Sequence, residues 1–314
     1  LVTEGAGESR EPPGLAVVTD DSAVFAPLTE LDAEAEKVLA DWLADTNAPK
    51  VVHDFKDSYK LLSRRGLHLD GEIDDPAISG YLIQPDRRSY DLPDLSLQHL
   101  KLSLETAAAS GNQLELSLDG EDTAAPAVME AFAALRLSEH FSGLLVERGA
   151  NQLLGGLELP LAEVLAEMEL AGIAVSTEKL DRLLDEFGRT IEQAKTEAFE
   201  VIGKEINLGS PKQLQVVLFD ELGLPKTKKI KTGYSTDADA LSDLIVKTNG
   251  HPFLAHLLAY RDATKLRQTV EGLRKSVSDD GRIHTTYAQT VAATGRLSSI
   301  NPNLQNIPIR SEEG

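Results

Sequence analysis

Apolar and polar positions follow two periods along this chain, and the change from one to the other divides it. Residues 14–19 and 23–28 are short apolar runs on either side of Asp20-Asp21-Ser22, the pattern of two strands about a tight turn. Leu31, Ala35, Val38, Leu39, Trp42 and Leu43 then recur at helical spacing after Thr29 and predict a first amphipathic helix. Residues 50–53 read as a short buried strand, 56–65 as a helix stopped by Gly66, 67–69 as another strand, and 76–83 and 92–102 as helices. Strands alternating with helices predict an α/β layer with one mixed sheet.

Residues 105–125, rich in Ala, Gly and acids, are expected to form a long surface connection, and beyond them the period becomes helical. Residues 128–154 keep helical spacing; Pro160 opens a helix that ends at Gly172, and Ser176 or Thr177 caps a long one reaching about Gly203. Ser210-Pro211-Lys212-Gln213 has the form of a capping box, with its helix running to Leu222 and Gly223. Residues 226–233 read as a basic flexible loop, Thr236 as the next cap, and His251-Pro252 as the start of a last long helix. Residues 282–290 alternate as a strand and deliver the chain to a polar loop at 293–310.

Composition narrows the classes. At 314 residues and 41% apolar content the chain can bury the cores of about two domains. The absence of cysteine excludes disulfides, thiolate metal ligands and cysteine nucleophiles. No apolar run reaches the roughly 20 residues of a membrane span, and residues 1–13, expected to be poorly ordered, lack a signal-peptide pattern. A cytoplasmic location is expected. The net charge of −20 argues against a polyanionic partner until its distribution is read. Residues 201–314 carry 15 Lys+Arg against 12 Asp+Glu, whereas residues 1–200 carry 16 against 39. The cationic part is the one that holds the polar loop, although such a split alone describes an ordinary solvated surface.

That loop, ATGRLSSINPNLQNIPIR, sets Arg296, Asn303, Gln305 and Asn306 among a glycine, serines and prolines. Its donors suit a duplex minor groove, where purine N3 and pyrimidine O2 lie in nearly the same place at every base pair. Helix shape can be checked there without reading sequence. A polar surface loop accounts for the same residues on their chemistry alone.

Thr294-Gly295-Arg296-Leu297-Ser298-Ser299, then Pro302-Asn303-Leu304-Gln305-Asn306-Ile307-Pro308 and Arg310, resemble the loop leading into the palm of family A DNA polymerases, the bacterial DNA polymerase I group. Ala292 stands where many members carry Thr. Asn207-Leu208-Gly209-Ser210-Pro211-Lys212-Gln213-Leu214, the lysine loop, Tyr260-Arg261 with Lys265, and Gly281-Arg282-Ile283-His284-Thr285 are similar to the thumb and first palm strand of the same enzymes. Lys50-Val51-Val52-His53-Asp54-Phe55-Lys56 and Ser89-Tyr90-Asp91-Leu92-Pro93-Asp94-Leu95 are similar, more faintly, to their proofreading-exonuclease domain.

The resemblance implies an α/β exonuclease-like (ribonuclease H-like) domain with a mixed sheet over residues 1–155, a mainly helical thumb over 156–280, and the start of a palm over 281–314. It implies DNA contacts for Arg296, Asn303, Gln305 and Asn306, flanked by Thr294 and Ser298. It also implies them for Ser210, Lys212, Lys228, Lys229, Lys231, Arg261 and Lys265, with His284 at most a phosphate neighbour. Plainer accounts stand beside these: a solvated charge run for Lys226, Lys228, Lys229 and Lys231, an ion pair with Asp262 or Glu271 for Arg261 and Lys265, and a helix cap for Ser210.

A two-metal nuclease needs several carboxylates converging on ions about 4 Å apart. In the resembling exonucleases these come from three places. Here the first falls before or outside residues 1–14, the second at Ser58, and the third near residues 126–128, which hold no acid; Asp54 and Asp57 remain nearby. An inactive exonuclease scaffold is expected. The family's two catalytic aspartates and its dNTP-binding helix lie downstream of the loop, so no catalytic residue and no metal ligand is expected within this chain. Mg²⁺ is expected only for the complete polymerase. The expected partners are primer-template duplex DNA, and dNTP through palm and fingers outside the chain, with no membrane and a monomeric state. A working 3′–5′ exonuclease and a non-catalytic protein-interaction module remain the alternatives.

Overall fold

In a computed structural model, residues 2–3, 14–104 and 124–307 are described. Most of the expected connection at 105–125, and Pro308 and Arg310 of the loop, lie outside them. The chain forms two compact units: one takes it up to Gly172 together with Thr285–Ile300, the other takes Ile173–His284 and the residues from Asn301 onward.

In the first unit β1 (Val2–Thr3), β2 (Gly14–Val18) and β3 (Ala23–Pro27) form an antiparallel sheet in that order. The turn at Asp20-Asp21 closes through Thr19 N–H on the Ser22 carbonyl at 2.8 Å, as the pattern predicts. Asp32 opens α1 (Ala33–Leu43) by accepting from Ala35 N–H at 2.8 Å, satisfying one of the amides that a helix start leaves orphaned. β4 (Lys50–Val51), α2 (Phe55–Arg64), β5 (Ile73–Asp74) and α3 (Pro76–Ile83) follow.

β4 pairs in parallel with β5, and the expected strand at 67–69 does not form. Asp70 N–H is drawn onto the Leu43 carbonyl at 3.0 Å, and the Lys50 ammonium holds the Asp70 carbonyl at 2.8 Å. The backbone therefore turns away there, while Leu67 and Leu69 still bury in the core. The expected mixed sheet comes as two pieces, the antiparallel triplet and this parallel pair.

α4 (Leu92–Leu95) passes into a π-helical turn, Ser96–Leu100, and is shorter than expected, because Lys101 takes a left-handed conformation that ends it. α5 (Ala124–Arg148) starts earlier than the periodicity suggested; α6 (Asn151–Leu153), a second π turn (Leu154–Glu158) and α7 (Leu159–Ala171) follow. The core joins Leu43, Leu62, Tyr81 and Leu95 to Leu137 and Phe141 of α5. Truncating a side chain as fully buried as Phe141 costs about 3–5 kcal/mol. β10 (Thr286–Ala288) and β11 (Ser298–Ile300), which follow the second unit's four described strands in the chain, form an antiparallel hairpin in this unit.

The second unit is built on two long helices. α8 (Thr177–Ile202) is capped by Ser176, as expected, and α11 (Pro252–Lys275) packs along it. Arg274 meets Asp181 at 2.8 Å and His256 meets Glu197 at 2.9 Å, so the pair runs antiparallel. Phe187, Ile191, Ala194 and Ala198 repeat every three or four residues and give α8 its buried face. α9 (Pro211–Gln215) with a π turn (Val216–Glu221), and α10 (Ala238–Lys247), close a core around Leu214, Leu218, Leu241 and Phe253. β6 (Ile173–Ala174) pairs with β9 (Arg282–Ile283), so the strand expected over 282–290 is two strands, β9 here and β10 in the first unit. Among the described residues no helix is long and apolar enough to cross a membrane.

Candidate nucleic-acid interface

In the first unit, the β10–β11 hairpin is held by three polar anchors. Glu169 of α7, almost fully buried, accepts from Tyr287 N–H at 2.8 Å and pairs with Lys56 and Lys60 of α2, each at 2.5 Å. Lys56 also donates to the Tyr287 carbonyl, so strand β10 is gripped at both backbone polar groups of one residue. For Lys60, burial pushes the pKa down, but the Glu169 and Asp57 carboxylates outweigh it and the net direction is up. The second anchor is Gln289, whose side-chain amide donates to the carbonyl and carboxylate of Glu158, both at 3.0 Å. In the third, the Tyr81 hydroxyl donates to the Ala292 carbonyl at 2.7 Å and accepts from Gly295 N–H at 3.1 Å. Gly295 N–H also reaches the Ala292 carbonyl at 3.1 Å, closing a turn in which Gly295 takes φ +75°, a conformation that glycine adopts without strain.

Directly after this turn, Arg296 is exposed and makes no hydrogen bond or ion pair among the described residues. Thr294 is exposed as well, and Ser298 is half-buried in β11. Of the predicted loop residues these three fall in the first unit; Asn303, Gln305 and Asn306 fall in the second and are exposed there, in a 3-10 turn, Leu304–Asn306. Asn303 Oδ1 caps that turn by accepting from Gln305 N–H at 3.0 Å. The segment expected as one polar loop thus contains a strand, a cis Asn301–Pro302 peptide and a helical turn.

Elsewhere in the second unit, Ser210 caps α9, accepting from Gln213 N–H at 3.4 Å. The capping box is not reciprocal: the Gln213 side chain instead accepts from Asn207 N–H at 2.8 Å. Lys212 is exposed. The predicted flexible loop is a hairpin of β7 (Lys229–Ile230) and β8 (Gly233–Tyr234). It is pinned by Tyr234 N–H on Gln215 Oε1 at 2.9 Å and by Lys226 stacked 5.0 Å from the Tyr234 ring. Lys228, Lys229 and Lys231 project from it into solvent. Asp237, not Thr236, caps α10, accepting from Ala240 N–H at 2.8 Å; Thr236 is buried and its carbonyl accepts from Arg261. That contact replaces the ion pair considered for Arg261, since Glu271 pairs with Lys275 at 2.9 Å. Burial moves the Arg261 pKa down while Asp237 opposes it, and a guanidinium stays charged regardless. Lys265 is exposed. His284 meets Asp280 at 3.0 Å and holds that carboxyl below its ordinary range.

The acids of the exonuclease-like part are engaged by the protein itself. Asp54 sits at the start of α2 in a left-handed conformation and makes no side-chain cap. Asp75 supplies one in its place: it accepts from Phe55 N–H at 2.9 Å, from Asp54 N–H at 3.2 Å and from Ala77 N–H at 2.8 Å, and so serves the N-termini of α2 and α3 together. Burial, with Asp54 beside it, pushes its pKa up to about 8 against the pull of these amides. Asp74 accepts from Ser79 at 3.0 Å and from Ser138. Ser58 is buried in α2. Among the described residues no three acidic or histidine side chains converge as a metal ion would require.

Glu169, Tyr81 and Asp75 were not singled out by sequence reasoning. The signal for Glu169 was weak but present, an acid inside an otherwise apolar helix face; for Tyr81 there was none, since its partners lie 211 and 214 residues further on.

A family model described as DNA polymerase family A matches residues 177–314, and one described as the ribonuclease H-like domain of DNA polymerase I matches residues 8–108. DNA polymerase I of Mycobacterium tuberculosis is 50% identical over 299 residues, 94% of this chain and 33% of that protein. DNA polymerase I of Geobacillus stearothermophilus is 36% identical over 305 residues, 96% and 34% of the two. The chain thus spans about a third of the length of the curated relatives it matches. A solved structure described as the POL domain of Pol1 from M. smegmatis, in complex with DNA primer-template and dNTP, superposes with a TM-score of 0.85 at 48% identity, covering 96% of this chain and 51% of that one. With a ribonuclease H-like domain followed by a helical polymerase region, the chain belongs to the family A DNA polymerases, in the DNA polymerase I group.

Proposed function

We propose that this chain is the part of a DNA-directed DNA polymerase that grips primer-template and sets the primer end for nucleotidyl transfer. The observation that carries the reading is Arg296, an exposed guanidinium without a partner among the described residues, on backbone fixed by the preceding turn. A pre-positioned donor of this kind suits minor-groove acceptors, which recur at every base pair. Asn303, Gln305 and Asn306 offer further amide donors, with Thr294 and Ser298 beside the arginine. Lys212, Lys228, Lys229, Lys231 and Lys265, with Ser210 and Arg261, hold phosphates and set the register without reading sequence. His284, already paired with Asp280, is at most a phosphate neighbour.

In this reading residues 1–155 are an exonuclease-like domain, 156–280 a thumb and 281–314 the start of a palm. The M. smegmatis protein was solved with primer-template and dNTP, and the likeness to it supports both as partners of the complete protein. Mg²⁺ would there neutralise charge on the transferred phosphoryl group. The described residues offer it no converging ligands, and no step is assigned through them. Among its described residues the exonuclease-like domain presents no nuclease chemistry: Asp74 and Asp75 already accept from protein donors, whereas a two-metal nuclease needs carboxylates turned toward its ions.

Arg296→Ala in the complete polymerase is expected to reduce primer extension by about tenfold or more, the size of one lost charge-assisted contact. Unaltered extension overturns the grip. Incubation of the chain with single-stranded DNA and Mg²⁺ or Mn²⁺ should release no nucleotides, and digestion above background overturns the assignment of the first domain.

A further inference from the structure

The anchors on the β10–β11 hairpin all come from residues of the exonuclease-like domain or of the π turn and helix that follow it, and one of them acts directly at the turn before Arg296. Tyr81 lies in α3, is 3% exposed, and its ring stacks edge-on against Tyr90 at 5.7 Å. Its position is therefore set by packing before its hydroxyl is considered. That hydroxyl uses both of its capacities on one turn, donating to the Ala292 carbonyl and accepting from Gly295 N–H. Gly295 is the residue immediately before Arg296, so a shift in this turn is passed along one peptide to the arginine's Cα.

We propose that Tyr81 is a positioning residue for Arg296: by bracing both ends of the Ala292–Gly295 turn, which the Gly295 N–H also closes on the Ala292 carbonyl, it holds the backbone that presents the guanidinium, so that a domain without nuclease chemistry sets the grip on duplex DNA. The inference rests on the reading that Arg296 meets the duplex. An arginine on a loose backbone has to be ordered at the moment of binding, and that entropy is subtracted from affinity. An arginine on a clamped backbone has been ordered during folding. The consequence is coupling: Tyr81 matters to DNA only through Arg296.

A double-mutant cycle reads this directly. Affinity for a fluorescein-labelled primer-template duplex is measured by anisotropy for the wild-type chain, Tyr81→Phe, Arg296→Ala and the double variant, with Tyr90→Phe as a control. The control removes a hydroxyl of the same kind from the same packing cluster, one that bonds the Gln84 carbonyl at 2.7 Å and not the turn. Arg296→Ala should weaken binding about tenfold, and Tyr81→Phe about three- to tenfold, the range of one or two neutral hydrogen bonds. In the Arg296→Ala background Tyr81→Phe should add almost nothing, and Tyr90→Phe should leave affinity unchanged in either background. Amide exchange at Gly295 should quicken in Tyr81→Phe.

If Tyr81→Phe lowers affinity by the same factor with and without Arg296, or if Tyr90→Phe does as much, the tyrosine is merely structural and the inference is overturned. If Tyr81→Phe speeds Gly295 exchange but leaves affinity intact, the turn is clamped to no purpose for DNA and the inference is likewise overturned. If Arg296→Ala itself has no effect, the reading of the loop fails, and this inference with it.

Discussion

Glu169 and Tyr287 meet across 118 residues of sequence, the buried carboxylate accepting the strand's N–H at 2.8 Å while Lys56 and Lys60 flank it at 2.5 Å each. The carboxylate bridges two partly buried ammoniums, and its loss leaves Lys60 with Asp57, at 2.9 Å, and Lys56 with the Tyr287 carbonyl. Removing one partner of a buried charge cluster typically costs about 3–5 kcal/mol, far more than an exposed pair is worth. Glu169→Ala should therefore lower the melting temperature by roughly 6–20 °C, at the 2–4 °C per kcal/mol expected for a domain of this size. Calorimetry on the purified chain decides it, and a change under about 2 °C would mean that water reaches and screens the cluster.

Asp75 makes stability depend on pH in an unusual direction. Its folded pKa, about 8, lies above the roughly 3.9 of an unfolded aspartate, so the folded state holds the proton more tightly. The stability this supplies is fully present below about pH 4, declines as pH rises, and is gone above about pH 8. Asp75→Asn cannot ionise and lacks that decline. Relative to wild type, the variant should gain more than about 1 kcal/mol between pH 5.5 and pH 8.5 in urea unfolding. A gap that stays constant, or closes the other way, would show that the three amide donors keep Asp75 ionised throughout.

What could be read from the residues in order was mostly local. Ser176, Ser210, Gly66, Gly172 and Gly203 mark helix ends in the structure as in the sequence, because a cap is decided by groups three or four residues away. The pairing of β2 with β3 was legible for the same reason. What escaped depends on partners distant in sequence. The strand expected at 67–69 lost its place to Ile73–Asp74 because a lysine from β4 and a carbonyl of α1 bend the intervening backbone. Thr236 looked like a cap but is buried as the acceptor for Arg261, leaving the role to Asp237. Of the loop, the exposed donors were legible, whereas Tyr81, which fixes the turn before Arg296, carries no local mark.

Gly233 is the residue that turns the expected flexible loop into a hairpin. It holds φ +123°, and a Cβ added there would stand 1.9 Å from Gln215 Oε1, the acceptor of the neighbouring Tyr234 N–H. Gly233→Ala must displace that side chain as well as strain the backbone, and each effect is worth about 1–3 kcal/mol. The variant should destabilise the transition that includes Tyr234, measured by urea unfolding followed by tyrosine fluorescence, by about 2–6 kcal/mol. A loss under about 0.5 kcal/mol would mean that the hairpin re-forms without the glutamine contact.

The hairpin's three exposed lysines separate a phosphate grip from a solvated charge run. Each phosphate a lysine neutralises releases condensed counterion, and the slope of log K against log salt changes by about 0.9 per contact on duplex DNA. Lys228, Lys229 and Lys231 point into solvent from a strand pair whose backbone is anchored by Ser235 N–H on the Lys228 carbonyl at 2.9 Å. Replacing all three by Ala therefore removes charge while leaving the hairpin's own bonds in place. If all three reach phosphates, the slope measured on primer-template duplex should become shallower by about two to three, with affinity falling most at low salt. Mutual screening can hide one contact but not all of them, because the Debye length near 0.1 M salt, about 10 Å, exceeds the reach from an ammonium to the phosphate it touches. A slope unchanged within about 0.5 would assign these lysines to solubility and return the grip on phosphates to Lys212, Arg261 and Lys265.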